Sequence, residues 1–222
     1  MLFDYPTKAR FGRKIPKSKL YENASANTKL KDKFVNQIEK IVWQYKLAPN
    51  TLNLDATNKV PEIQVFDIFL KTKEVDQTLL EVIDKAIPLP IIFQIHKGNK
   101  VKIKAAYKRP SESANNKWVI ESYFESEWLD KYSTKQPMPQ ALDLGKLYEQ
   151  ILKSLMPVEV TSSKTMQTLD EQVGIINQIS SLQKELDKLN SKYKKEKQAN
   201  RQFEIHKQIK LTQSQLDNLK QA

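Results

Sequence analysis

Apolar residues recur along this chain with two different periods, and the change of period divides it into elements. From residue 27 onward, Leu30, Phe34, Ile38, Ile41, Val42 and Tyr45 fall on one helical face. That stripe predicts a helix capped by Asn27 and ended by Pro49. After the turn-rich residues 49–59, the segment 61–71, PEIQVFDIFLK, is β-branched and aromatic and predicts a strand. Asp76 is placed to cap a second helix that carries Leu79, Leu80, Ile83 and Ile87 inward and stops at Pro88. Residues 89–110 read as a hairpin turning at Gly98-Asn99, and residues 118–128, WVIESYFESEW, as a further strand. Beyond the proline-containing stretch 135–140, Leu142, Leu147, Ile151, Leu152 and Leu155 predict a closing helix that ends at Pro157. The order gives an α+β fold: a small, mostly antiparallel sheet packed by helices.

The register of the hairpin follows from patterning if one face of the sheet is open. A two-residue loop pairs Ile95 with Lys102 and Phe93 with Lys104, mixing apolar and charged residues on each face. A three-residue loop pairs Ile95 with Ile103, Phe93 with Ala105 and Ile91 with Tyr107, and leaves Gln94, His96, Lys102, Lys104 and Lys108 on the opposite face. The second register is therefore expected, with a basic, solvent-facing surface as its consequence.

A different pattern begins after residue 165. Ile175, Ile179, Leu182, Leu186, Leu189 and Tyr193 follow 4-3-4-3-4 spacing, and Ile205, Ile209, Thr212, Leu216 and Leu219 follow 4-3-4-3. Continuing the first frame puts Lys207 in the seam, which disfavours one unbroken coil. Folded back, Tyr193 faces Ile205, Leu189 faces Ile209, Leu186 faces Thr212, Leu182 faces Leu216 and Ile179 faces Leu219. All five pairs share a midpoint at Ala199, as an antiparallel coiled-coil hairpin turning near 197–201 requires, with Asn200 as the expected cap of its second helix. The predicted organisation is a basic N-terminal arm (1–26) laying Phe3, Phe11, Ile15 and Tyr21 on the domain, an α+β domain (27–157), a linker (158–165) and a helical hairpin (166–222).

Charge sharpens this picture. The net charge is +11, from 37 basic and 26 acidic residues. Residues 1–25 carry six basic and two acidic side chains, and residues 91–110 carry six basic and none acidic, while 61–90 and 111–165 are net acidic. Such partition points to an anionic partner, DNA or another nucleic acid, more than to a uniformly solubilised surface. Only Arg10, Arg13, Arg109 and Arg201 are arginines, which favours backbone contact over base reading. The nucleic-acid-binding set expected is Lys102, Lys104, Lys108 and Arg109 on the hairpin with Arg13, Lys14 and Lys17 in the arm. The aromatics Trp118, Tyr123, Phe124 and Trp128 would stack bases if exposed, and are read as core.

The catalytic inventory is thin. The chain has no cysteine, so disulfides, thiolate metal sites and thiol nucleophiles are excluded. Its two histidines, His96 and His206, lack a second ligand at metal spacing and are read as surface residues. GxxxxGK[ST], GxGxxG and GxSxG are absent. No catalytic residue, metal site or cofactor is assigned. One acidic constellation, Asp55 and Glu62-Ile63-Gln64 with Glu39, resembles the two-acid metal sites of restriction-type nucleases with Gln for the usual Lys. It is read as structural. The start of the chain lacks a signal-peptide pattern and no apolar run is long enough to span a bilayer, so a cytoplasmic location is expected.

The stretches LFDYPTKARFGRKIPKSKLYENA, VPEIQVFDIFLK, IDKAIPLPIIFQIH, AAYKRPSE, YFESEW and EKQANRQFEIHKQI resemble, over essentially the whole chain, a bacterial family classed only as a domain of unknown function (family four-three-nine-one). Its members tend to accompany helicase and DNA-methyltransferase genes of restriction and phage-defence type. The resemblance implies a DNA-handling context and carries over no catalytic residue. Three readings follow. The first, favoured, is a non-catalytic accessory protein that contacts DNA non-specifically and docks a helicase or methyltransferase subunit through the hairpin. The second is a metal-dependent nuclease centred on Glu62 and Gln64. The third is a homo-oligomeric scaffold, dimerised through 166–222, without DNA binding.

Overall fold

Residues 63–70, IQVFDIFL, form a strand buried along its length, with only Phe69 partly exposed. A strand apolar on both sides belongs at the middle of a sheet covered on both faces, and that is how the protein is built. The computed structural model describes residues 2–23, 28–110, 118–157 and 168–221. The chain divides into two units, Met1–Leu155 and Met156–Ala222. In the first unit the elements are β1 (Phe3–Asp4), β2 (Arg10–Ile15), α1 (Lys17–Asn23), α2 (Thr28–Gln37), β3 (Ile38–Leu47), α3 (Pro49–Leu52), β4 (Ile63–Leu70), α4 (Gln77–Ala86), β5 (Ile91–Lys97), β6 (Lys100–Pro110), β7 (Trp118–Glu125), β8 (Leu129–Asp130), β9 (Gln136–Pro137) and α5 (Leu144–Leu155). The main sheet runs β2-β3-β4-β5-β6-β7, with β8 on β6. Its pairings are antiparallel except β4–β5, which the α4 crossover makes parallel. β1 and β9 form a separate parallel pair. The α+β class stands.

One sheet face presents Phe66, Ile68, Leu70, Phe93 and Ile95 to Phe34 of α2 and to Leu79, Leu80 and Ile83 of α4. Asp76 caps α4 as expected, its Oδ1 accepting from the Thr78 amide at 3.0 Å. On the opposite face Val65, Ile92, Ile103 and Ala105 are as deeply buried. Tyr148 of α5 donates its hydroxyl to the Ala106 carbonyl at 2.7 Å.

Three expectations need correction. The helix predicted from Leu30 to Tyr45 ends at Gln37, and the chain continues directly as β3. The i, i+3 spacing of Ile38 and Ile41 has another cause. A bulge between Ile38 and Lys40 inserts one residue, so both isoleucines turn into the same core from a strand. The predicted cap, Asn27, lies outside the described residues. The N-terminal segment, expected as an arm laid over the domain, instead supplies β2, an edge strand of the main sheet, while Phe3 is buried and Ile15 packs on the core, as that expectation had them. Finally, the hairpin takes the register that patterning rejected. Ile95 pairs with Lys102 and Phe93 with Lys104 around a two-residue turn, with Gly98 at φ +56°. The premise of an open face was wrong, because Ile103 and Ala105 were needed on the second buried face.

The second unit is formed by α6 (Leu169–Lys195) and α7 (Ala199–Gln221), which pack along the predicted seam. Leu186, Leu189, Thr212 and Leu216 are buried in it, and the Tyr193 and His206 rings meet at 5.8 Å. Thr168 and Glu171 close a capping box at the start of α6. At the turn the Glu196 carboxylate accepts from the amides of Lys197 and Gln198 at 2.9 and 3.0 Å, and those backbone donors hold its pKa below the usual range. The second helix starts at Ala199, one residue before the expected cap Asn200. The predicted linker, 158–165, lies outside the described residues. No helix among the described residues is long and apolar enough to cross a membrane.

Candidate nucleic-acid interface

The register places the β6 lysines on the face that α4 covers. Lys102 and Lys104 keep 13% of their side-chain surface and both bind Glu125, at 2.9 and 2.8 Å. Their ammonium groups lie over aromatic rings, that of Lys102 5.2 Å from the Trp128 ring centre and that of Lys104 5.4 Å from that of Tyr123. Lys108 is 3% exposed and reaches Asp84 of α4, 0% exposed, at 2.5 Å. The Tyr123 hydroxyl donates to the other Asp84 oxygen, and Lys108 donates to the Leu89 carbonyl at 2.8 Å. Burial pushes the Asp84 carboxyl up and the Lys108 ammonium down, against their mutual attraction. Arg109 binds Glu121. Each of these four cations is thus paired with an acid of the fold, and of the four only Arg109 keeps much exposed surface. Gln94 and His96 are not their neighbours, since they pair with Ile103 and Val101 on the other side of the sheet.

The N-terminal set behaves differently. Arg13 and Lys14 lie exposed on β2, and Lys19 on α1. None of the three pairs with an acid among the described residues. Lys17 is turned inward and donates to the Ile38 carbonyl at 2.8 Å. Burial first, then the charges of Lys71 and Lys14, lower its pKa. The β2 register shifts between Arg10 and Arg13 around Gly12, whose φ of +66° a larger residue rarely adopts. That bulge sets Phe11 against Trp43, with ring centres 4.2 Å apart, and lays the Arg13 guanidinium 4.7 Å from the Phe11 ring centre.

Arg13, Lys14 and Lys19 rim a cleft of about 400 Å³ walled by Phe11, Trp43, Phe66, Leu20, Ile87 and Leu89. Gln64, 1% exposed, contributes to its lining. The Gln64 Nε2 donates to Glu62 Oε1 at 2.8 Å, and its Oε1 is buried without a hydrogen-bond partner. The sequence singled out Glu62 and Gln64, but as a metal-site fragment. Glu62 is instead held by Lys46 at 2.6 Å, Asp55 pairs through its backbone beside Asp143, its carbonyl accepting from the Leu144 amide at 2.9 Å, and Glu39 is exposed on β3. No three metal-ligating side chains gather among the described residues.

A second polar group includes Gln94 and His96, which were expected beside the β6 lysines. Asp67, Gln94, His96, Tyr5 and Tyr45 line a smaller cavity of about 260 Å³, rimmed by Lys131 and Lys135. Gln94 Nε2 donates to Asp67 Oδ1 at 2.9 Å. His96 Nε2 lies 3.1 Å from the same oxygen without hydrogen-bond alignment, its ring stacked on Phe69 at 4.7 Å. The Tyr5 hydroxyl is buried and unpartnered, and burial raises its pKa. His96 is therefore part of a half-buried polar cluster and not a fully exposed surface residue. Its alternation with Gln94 was visible in the sequence, but the covered face was not.

A family model described as "Domain of unknown function (DUF4391)" matches residues 3–216, so the chain belongs to that family. Comparison with curated proteins and with solved structures gave no match.

Proposed function

We propose that this member of the family is a non-catalytic accessory protein of a bacterial DNA restriction or phage-defence assembly, and that it contacts nucleic acid through the β2–α1 cleft. The observation that carries the reading is the cluster of exposed cations, Arg13, Lys14 and Lys19, around an aromatic-walled cleft. Cations without acidic partners remain available to phosphate, and aromatic walls suit bases. The assignment to a restriction or defence assembly rests on the family resemblance. The C-terminal hairpin, with Phe203 and Leu211 exposed outside its seam, is the element we assign to protein contact in that assembly.

Binding of full-length protein to single-stranded and duplex DNA, measured against salt, tests the reading. The wild type should bind at low salt with little sequence preference. The Arg13→Gln/Lys14→Gln/Lys19→Gln variant should lower the slope of log affinity against log salt by about two to three, at somewhat under one unit per lost contact. Wild-type protein that binds neither form at low salt removes the reading.

A further inference from the structure

The cleft asks three things of a ligand, and together they are selective. Its walls include the Phe11 and Trp43 rings, tilted by 44° to one another, with Phe66 edge-on to Trp43 at 6.0 Å. These surfaces suit a flat π system. Its rim is cationic, which suits a charged group attached to that ring. Its lining holds an acceptor that lacks a donor: the Glu62 carboxylate takes the Gln64 amide hydrogen, so Oε1 is the free end. Few buried acceptors stay unpaired, because leaving one so costs more than a surface bond returns. A hydrocarbon chain satisfies the first demand alone, and inorganic phosphate only the second. A flat ring with an N–H on its edge and a phosphate beyond it satisfies all three.

We infer that the β2–α1 cleft takes a single unstacked nucleobase, with Gln64 Oε1 accepting from a base N–H, Phe11 and Trp43 bearing on the ring and Arg13, Lys14 and Lys19 meeting the attached phosphate. The inference rests on the nucleic-acid reading above and adds what part of the nucleic acid enters. A volume of about 400 Å³ lies at the small end of ligand sites, fit for one base with its sugar-phosphate and not for a stacked run. The architecture provides the acceptor in a fixed place. Gln64 sits on β4 between Lys46 of β3 and Ile91 of β5, and its amide nitrogen cannot turn into the cleft without losing Glu62.

The test compares a short single-stranded DNA with an abasic deoxyribose-phosphate strand of the same length and charge, at one salt concentration. The normal strand should bind full-length protein about tenfold or more tightly, the scale of one base on an aromatic wall. Gln64→Leu should lose about tenfold on the normal strand and nothing on the abasic one, with an unchanged melting temperature. Equal affinity for the two strands overturns the inference while leaving the cationic contact intact. An unchanged wild-type preference in Gln64→Leu overturns the assigned acceptor. Deoxyadenosine monophosphate added as competitor separates the sources. Displacement at micromolar concentration assigns a free nucleotide, and displacement only at millimolar concentration assigns a base within a strand. The abasic comparison needs no variant, so misfolding of Gln64→Leu cannot obscure it.

Discussion

Two segments of this chain carry six basic residues each, 1–25 and 91–110, and the fold uses them in opposite ways. Along β6 the lysines lie under α4, bound to Glu125 and Asp84 and resting on Trp128 and Tyr123. On β2 and α1, Arg13, Lys14 and Lys19 face outward around a cleft. The segment with no acid in its own sequence is the one where four of the six cations, Lys102, Lys104, Lys108 and Arg109, are met by acids, from α4 and β7. Local charge density is therefore a poor guide to which cations the fold leaves unpaired. What decides is whether the sheet brings a carboxylate to each cation.

The comparison breaks most visibly at Lys108. Lys108→Met leaves Asp84 as an uncompensated buried charge, and the loss should be about 3–5 kcal/mol, a fall of roughly 10 °C in melting temperature for a unit this size. The triple variant Asp84→Leu/Lys108→Met/Tyr123→Phe removes every member of the network and should recover most of that stability. Thermal unfolding of both settles it. A Lys108→Met protein that melts like wild type would return that lysine to the surface.

Lys102→Gln/Lys104→Gln sharpens the contrast at intermediate size. Both ammonium groups share a Glu125 that is 41% exposed, so solvent screening discounts the pair and the expected loss is roughly 1–2 kcal/mol. DNA affinity and its salt slope should not change. The same two measurements on Arg13→Gln/Lys14→Gln/Lys19→Gln should reverse the result, with stability within about 0.5 kcal/mol of wild type and DNA affinity reduced.

How much of this was legible depended on how many faces each element buries. The α6–α7 seam is a contact between two helices along one stripe each, so spacing alone located the two stripes and the turn between them. β4 could be seen as a strand from its composition. The β5–β6 register could not be had that way, because both faces are buried and alternation no longer separates inside from outside. The bulge after Ile38 made a strand imitate a helix for the same reason: the core, and not the local period, set the positions of Ile38 and Ile41. The candidate cleft was half legible. Arg13, Lys14, Glu62 and Gln64 were all singled out, but for two unrelated roles. Phe11 and Trp43 join them only through the β2–β3 pairing.

The smallest expected effect concerns a lysine–acid pair lying between the two extremes. Lys33 binds Asp76, with about a third of each side chain exposed. Asp76 also accepts from the Thr78 amide and hydroxyl at the start of α4. The Lys33 hydrogen bond first, then those from Thr78, lower the Asp76 carboxyl from 3.8 to about 2. A carboxyl depressed by folding contributes stability above its unfolded pKa and loses it as pH falls through the folded one. Asp76→Ala should therefore cost about 1 kcal/mol at neutral pH, as lost helix caps do. The difference from wild type should hold down to about pH 4 and close toward pH 2. Denaturant titrations at a series of acidic pH values provide the measurement. A deficit that persists unchanged at pH 2 would mean the cap acts without its charge. Thr78 would then be the stronger partner, with Lys33 merely nearby, as its exposure would allow.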